Sequence, residues 1–586
     1  DDLPEDEREL VLSSDPKYFI PWTVVWNTNS VSTSTRLVFD ASRKPPEGCA
    51  LNDILPKGVN GMNKLVEILI RWSVHRCAFH CDIQKMYNTI RLDKAHWCYQ
   101  LYLWSENLEL DQEPRWKVIK TLIYGVVSSG NQSEYALRKT AQLNESKYPR
   151  ASEIIHKCAY VDDNAAGEKD RKTVEKTTRD LKLVLGTGGF ALKGITISGE
   201  DPPEHLSDDG VSVNVGGMKW FPKGDFLKLN IGELNFSKKA RGKKDASAEG
   251  VIPENLTRKH CVSKSYEIFD PIGKAVPVTC GFKVDLKRWT NLGWDDKISE
   301  EDRKIWESNF SLIGDLRDAI FVRTVVPEDA LNLDIETIDV ADASNVLMCA
   351  AIYARFQLKS GEYSCQLVFA RSKLVPDDTS IPRAELSAAV LNAAMGHVVK
   401  ISFGEFHKGH IKLTDSQVAL HWICTVKTEL KLWVRNRVIE VNRLSRMTCW
   451  FYCRTEDNIA DMGTRKGQGI EALDPEGEWF NGKPCYRLPV EQMPFLTVEE
   501  VVLTPDQLTE LNKERISPKI EFQVHWASMS KPSPDSEIEK RYEFSNYVLD
   551  PNKFRFKTSL RIVALVVMFV QNLMKARHKR DISLLN

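Results

Sequence analysis

The chain has 586 residues, 42% of them hydrophobic and 27% charged, with a formal net charge of −1. That length calls for several domains with real cores, and the composition is that of an ordinary soluble protein. A near-zero net charge excludes a uniformly basic nucleic-acid binder, although one local stretch, 236 to 288, carries twelve Lys plus Arg against six Asp plus Glu and is able to meet a phosphate backbone.

In chain order, residues 1 to 80 alternate short β-like runs (YFIPWTVVW, TRLVFDAS) with Pro/Gly turns (KPPEG, LPKG) and close on a helical pattern, MNKLVEILIRWSVHR. CAFHCDIQ follows as an apolar strand entering Asp82, and SEYALRKTAQLNESK reads as a helix. Next comes CAYVDDNAAG. The sequence contains five Asp-Asp pairs, but only Asp162 and Asp163 join an apolar, β-prone run, IIHKCAYV, to a small-residue run, which predicts a tight hairpin with two anions at its tip. Such a tip repels itself unless a cation neutralises it, and hard carboxylate oxygens suit Mg²⁺. KTVEKTTRDLKLVLGTGGFALKG then reads as a helix closed by glycines and followed by a strand, and KWFPKGDFLKLNI as a hairpin around Pro222 to Asp225. The order strand, helix, hairpin, helix, strand describes a split α/β palm that brings Asp82 and Asp162 onto neighbouring strands, with three carboxylates on one surface.

The second half repeats the pattern with different residues. IETIDVADASNVLMCAAIYARF reads as strand, turn, strand, and EYSCQLVFARS supplies a third strand. IPRAELSAAVLNAAMGHVV is a helix with Pro382 in its first turn and Glu385 just inside. IKLTDSQVALHWI is a strand ending at Asp415 and running into a helix, and CWFYCRTEDNIADMGTR gives a strand, a loop and a helix start at Asp461. This is the ribonuclease H order of elements, with Asp342, Glu385, Asp415 and Asp461 at the ends of separate elements; Asp339, three residues before Asp342, is the nearest rival and belongs to the strand. Thirteen singly scattered cysteines, without a CxxC pair or a zinc spacing, read as reduced core thiols of an intracellular protein. Asp1 in place of Met suggests a fragment or a processed product, and IVALVVMFVQNLM at 562 to 574 is too short to cross a bilayer and reads as a core or interface helix. The Trp-bearing segments KRWTNLGWDD and LKLWVRNRVIEV are expected in packing roles.

FDASRKPPEGCALNDILPKG, CDIQKMYNTI, LIYGVVSSG, YVDD, GGFALKG and YEIFDPIGKAVPV, in that order from about residue 15 to 300, resemble the reverse transcriptase of LTR retrotransposons, most closely the BEL/Pao group. DAS, IPRAEL, TDS and DNIAD resemble the RNase H domain that follows it in the same family. The resemblance implies that Asp82 and Asp162 are metal ligands with Asp163 as the third acid. It further implies that Tyr87 excludes a ribose 2′-hydroxyl, that Arg36 reaches the triphosphate, and that Tyr124 and Gly125 form the loop beneath the nucleotide, with Lys193 in the motif flanking the palm. For the nuclease it implies Asp342, Glu385, Asp415 and Asp461 as catalytic metal ligands. Many RNases H carry a histidine before the last acid, and WFYCRTEDN has none, which puts the efficiency of cleavage in question more than its occurrence.

The expected fold class is a multidomain α/β (α+β) protein: a fingers-palm-thumb polymerase followed by a ribonuclease H-like mixed-sheet domain. Expected boundaries are 1–215 for fingers and palm, 216–330 for a thumb-like or connection segment in which YEIFDPIGK sits where a duplex is tracked through its phosphates, 331–470 for the RNase H-like domain, and 471–586 for a connector toward an integrase region. The expected activity is RNA-directed DNA synthesis with cleavage of RNA in the hybrid, using two Mg²⁺ per site, with Mn²⁺ as a substitute. Expected partners are an RNA template, a DNA primer, the RNA/DNA hybrid, dNTPs and other Pol or Gag products, with no membrane, in a cytoplasmic virus-like particle. The alternative is a domesticated, inactive nucleic-acid-binding descendant.

Overall fold

The computed structural model describes residues 3–26, 35–105, 113–237, 249–425 and 430–516. The apolar run at 562 to 574 and residues 238 to 248 of the basic stretch lie outside the described residues. The chain is mixed α/β, as expected. Two hairpins open it, β1 (Trp22–Trp26) with β2 (Thr35–Phe39), and β4 (Leu101–Trp104) with β5 (Arg115–Val118).

Between and after them a four-stranded antiparallel sheet is assembled from β3 (Cys77–Gln84), β6 (Ala159–Tyr160), β7 (Asp163–Glu168) and β8 (Ala191–Ile197), in the order β6-β7-β3-β8. Side-chain alternation along β3 decides what each face does. Phe79, Cys81 and Ile83 enter a core that also holds buried residues of the helices Ser129–Asn144, Pro149–Cys158 and Arg171–Thr187. On the opposite face Ala78 packs in a core with Ala165 and the Leu65–Val74 helix, while Asp82 at the far end stays half-buried.

One sequence expectation fails here. IIHKC is not β-prone but the last part of a helix reaching Cys158, because Ile154, Ile155 and Cys158 fall on one buried helical face, so only Ala159 and Tyr160 remain as strand. The expected hairpin around Pro222 to Asp225 is present as β10 (Met218–Phe221) and β11 (Phe226–Leu229), flanked by β9 (Val213–Val215) and β12 (Phe321–Val322).

The last sheet has the order β15-β14-β13-β16-β17, from β13 (Ile335–Ala343), β14 (Leu347–Gln357), β15 (Tyr363–Leu374), β16 (His407–Thr414) and β17 (Trp450–Tyr452). The first three strands are antiparallel, and β16 and β17 add in parallel. A parallel neighbour needs a crossover, and the Ile381–Phe403 helix provides it. Among the described residues this helix alone, extended to Phe406, is long and apolar enough to cross a membrane; here it packs on β13 and β14 and buries Ala384, Leu386, Ala388 and Ala389. Below it, Lys412 pairs with Asp339 and donates to Asn392 Oδ1 at 3.0 Å, so Asp339 is occupied inside the fold. The helix expected from Asp461 is instead a single 3₁₀ turn, Ile459–Gly463, because glycines at 463, 467 and 469 follow.

The C-terminal half of YEIFDPIGK and the following Val276–Lys287 helix clasp the outer rim of β15. Ala370 N donates to Ile272 O at 3.0 Å, and three ammonium groups donate to rim carbonyls: Lys274 to Leu367 O (2.6 Å), Lys283 to Ser372 O (2.7 Å) and Lys287 to Val375 O (2.9 Å). Burial pushes Lys274 down to about 8. An edge strand is an aggregation template unless covered, and these contacts cover it. Gly273 makes the approach possible: its φ is +74°, and a Cβ there would collide with the Ala370 carbonyl. Gly273→Ala is expected to cost about 3 kcal/mol or more, read as a lower denaturation midpoint; an unchanged midpoint would mean the turn is not seated on β15. Of the Trp segments, Trp289 is buried as expected, whereas Trp294 is exposed with Arg258 over its ring.

Candidate active sites

The first acid cluster forms where β3 meets the β6–β7 turn. Register pairs Asp82 with Asp163 across β3 and β7, and Ile83 N donates to Asp162 O at 2.8 Å, which draws the turn over the end of β3. Tyr160 pairs with Asp163, leaving Val161 and Asp162 as a two-residue loop. Val161 has φ +56°, a region that a β-branched residue seldom occupies and that stores strain at the turn. The outcome is that carboxylate oxygens of Asp82, Asp162 and Asp163 lie within 4.8 Å of one another. Burial, then the charges of Asp162 and Asp163, push Asp82 up to about 6, and burial followed by the charge of Asp163 raises Asp162.

Around this cluster sit the other residues singled out in the sequence. Tyr87 lies just beyond β3, its ring edge-to-face with Tyr124 at 4.4 Å between centroids, and burial raises both phenols. Arg36, exposed on β2, is near enough to Tyr124 for its charge to oppose that rise. Gly125 has φ +99°, and a Cβ would meet the Phe39 carbonyl, so the loop and the end of β2 are in backbone contact. Lys193 lies on β8, where the register slips beside Asp82, and its charge lowers both Asp82 and Asp162.

Two contributors went unnoticed in the sequence. The Asn52 amide joins the Gly125 loop to the turn after β2, donating to Gly125 O and Ser42 Oγ at 2.8 Å each and accepting from Val127 N at 2.8 Å. His80 Nε2 lies 3.2 Å from Asp163 Oδ1. Its signal was its spacing: two residues before Asp82 on one strand is the same face.

The second cluster is built at one end of the five-stranded sheet. Asp342 is near the end of β13, Asp415 directly follows the neighbouring β16, and Glu385 enters from the first turns of the Ile381–Phe403 helix. Their oxygens also lie within 4.8 Å of one another. Asn458 donates to Asp415 Oδ1 (3.1 Å) and to Ala341 O (2.9 Å), tying two strands, and the Thr464 hydroxyl donates to Asp342 Oδ2. Burial, with the Asp415 charge next, raises Asp342 to about 7; burial, then Asp342 and Asp415, takes Glu385 to about 10; and burial raises Asp415 against the Asn458 and Thr455 hydrogen bonds.

Asp461 stands beside this group rather than within it. Its Oδ1 accepts from Arg465 Nε at 2.6 Å, although its charge is among those raising Asp342 and Asp415. Asn458 and Thr464 were not singled out in the sequence, yet both flank Asp461 within three residues and fix the other two aspartates.

A divalent cation fits both places. Three converging carboxylates are costly as bare anions, and Glu385 Oε2 is buried without any hydrogen-bond partner, an orphan that a cation would satisfy.

Comparison with known proteins then places one part of the chain. Residues 257–415 match the Pao retrotransposon-like RNaseH-like domain. The BEL/Pao resemblance drawn from the motifs is borne out by that match, and the Pao-like stretch contains Asp342, Glu385 and, as its last residue, Asp415. Asp82, Asp162, Asp163 and Asp461 lie outside it. No curated protein matches the chain. Solved structures similar to it include a foamy viral protease-reverse transcriptase dRH in complex with double-stranded DNA (13% identity, 75% of this chain and 65% of that one, TM-score 0.48). Another is the foamy viral protease-reverse transcriptase in complex with an RNA/DNA hybrid (13% identity, 79% and 54%, TM-score 0.45). The chain thus spans about 65% and 54% of the lengths of these two.

Proposed function

We propose that this chain is a retroelement RNA-directed DNA polymerase with RNase H activity, copying RNA into DNA from a primer at the Asp82 cluster and cutting the RNA of the resulting hybrid at the Asp342 cluster. The observation that carries the reading is the presence of two separate groups of three carboxylates, each drawn from different elements to within 4.8 Å. Within it, residues 1–215 act as fingers and palm, 216–330 as the thumb-like segment, 331–470 as the nuclease and 471–586 as a connector. The working location is a cytoplasmic particle shared with other Pol or Gag products.

Asp82, Asp162 and Asp163 would hold Mg²⁺ at one site, and Asp342, Glu385 and Asp415, with Asp461 at the rim, would hold it at the other. Bound there, the ions make a hydroxyl or water nucleophilic near neutral pH and neutralise charge on the leaving oxygen. The chain's own residues supply the rest. Arg36 offers a fixed guanidinium fork to the triphosphate, and the Tyr124–Gly125 loop, anchored by Asn52, forms the floor of the nucleotide site. Lys193 contributes positive charge beside Asp82. Asn458 and Thr464 hold Asp415 and Asp342 in place.

Tyr87 closes the sugar side of that site with a ring braced by Tyr124. Tyr87→Ala is expected to raise ribonucleotide incorporation relative to dNTP by about tenfold or more, the scale on which one steric contact discriminates. Unchanged sugar selectivity would remove Tyr87 from this role.

The deciding experiment is extension of a DNA primer on an RNA template with dNTPs, alongside cleavage of a labelled RNA/DNA hybrid, each with Mg²⁺ and again with EDTA. Both reactions are expected with Mg²⁺ and neither with chelator. Tight hybrid binding with no turnover under either condition would instead select the inactive, nucleic-acid-binding descendant.

A further inference from the structure

The motif that carries Asp82 also carries a histidine to which none of the roles above assigns work. His80 is 6% exposed, so its ring is fixed by packing, while the Asp163 side chain it meets is 37% exposed. Strand geometry explains the meeting. Asp82 is opposite Asp163 and His80 is opposite Ala165, so the ring stands one step along the same face, diagonal to Asp163. The contact, Nε2 to Oδ1 at 3.2 Å, requires the ring proton on Nε2 for a hydrogen bond to the carboxylate.

Asp163 needs such a restraint. Three carboxylates within 4.8 Å repel one another, and Asp163, 37% exposed, relieves the repulsion if it rotates into water. Asp82 and Asp162 are half-buried, and the Ile83 N bond to Asp162 O ties the turn to the end of β3. Among the described contacts, His80 is the side chain that grips Asp163.

We propose that His80 is a positioning residue that holds the Asp163 carboxylate inside the first acid cluster, so that the cluster binds divalent cations through three acids rather than two. This rests on reading that cluster as a metal site. Its consequence is a dependence of metal affinity on a side chain that touches no metal, the usual behaviour of groups that orient ligands from behind.

The test is Mn²⁺ binding to the full chain followed by electron paramagnetic resonance, with Asp415→Asn present throughout to weaken the nuclease cluster. His80→Leu is expected to reduce Mn²⁺ affinity at the first cluster by about tenfold, and His80→Gln, which keeps an N–H donor, to return most of it. In primer extension the same loss appears as a higher Mg²⁺ concentration for half-maximal rate, with the rate at saturating Mg²⁺ changed far less. The arrangement also predicts a coupling: once Asp163→Ala is in place, His80→Leu has nothing left to orient and lowers affinity no further.

A purely structural histidine would behave differently, with losses that add to those of Asp163→Ala; that result, or wild-type Mn²⁺ affinity in His80→Leu, overturns the inference. If the parent Asp415→Asn chain binds no Mn²⁺ at the first cluster at all, the metal reading itself fails and the inference with it. Parent binding with an indifferent His80 sinks the inference alone.

Discussion

Asp162→Asn is expected to abolish primer extension and leave hybrid cleavage close to wild type, and Asp415→Asn to do the reverse. Each loss is expected to be about 1,000-fold or more, roughly 4 kcal/mol of barrier, because one carboxylate of a converging set disappears where charge must be neutralised in the transition state. The separation follows from construction. Asp162 sits in the β6–β7 turn and Asp415 after β16, on different sheets that share no strand. Both changes keep shape and remove a charge from a self-repelling group, so neither is expected to unfold the chain. Extension and cleavage measured on the same two preparations decide it; if either variant loses both reactions, or neither reaction, the assignment of the clusters is wrong.

The second large effect is a pH-dependent stabilisation by Mg²⁺. Without cation, Asp342 titrates near 7 and Asp82 near 6, both above the ordinary value of 3.8, chiefly through burial. A carboxyl whose folded value is raised binds its proton more tightly in the folded state. The contribution of these carboxyls to stability is therefore greatest below about pH 4 and falls as pH rises from about 4 through 6 and 7, with Glu385 extending the decline upward. Mg²⁺ binds the ionised form and works against that fall. At pH 8, a hundredfold excess over the dissociation constant is expected to add about 2.7 kcal/mol per site, and at pH 5 far less. Thermal melts with Mg²⁺ and with EDTA across this range report the difference directly; an Mg²⁺ increment that is the same at pH 5 and pH 8 would contradict it.

What could be read before the fold was known followed from local rules. Asp82, Asp162, Asp342 and Asp415 each lie at or just beyond the end of a strand, where period-two alternation gives way to a turn, and Glu385 lies one turn behind a helix-starting Pro382. The errors came where local patterns are ambiguous. IIHKC is a short apolar run that serves a helix or a strand equally well, and the packing of Ile154 and Ile155 against neighbouring helices settled it. The stretch from Asp461 looked helical until three glycines and the close contact between Gly463 and Cys349 prevailed. Asn458, Thr464 and Asn52 act by hydrogen bonds to residues 43, 122 and 73 positions away, which spacing alone does not reveal. His80 was within reach, since parity along one strand was enough to pair it with Asp82.

The grip of Lys274, Lys283 and Lys287 on the rim of β15 has a mechanical outcome. A single hydrophobic core continues from the Leu65–Val74 helix, past the hairpin of β10 and β11 and the helices that follow it, into the five-stranded sheet. Swivelling one carboxylate cluster against the other would mean breaking that close packing and stripping three ammonium groups of their carbonyls together. The span between the two clusters is thus stiff, set when the polypeptide folds.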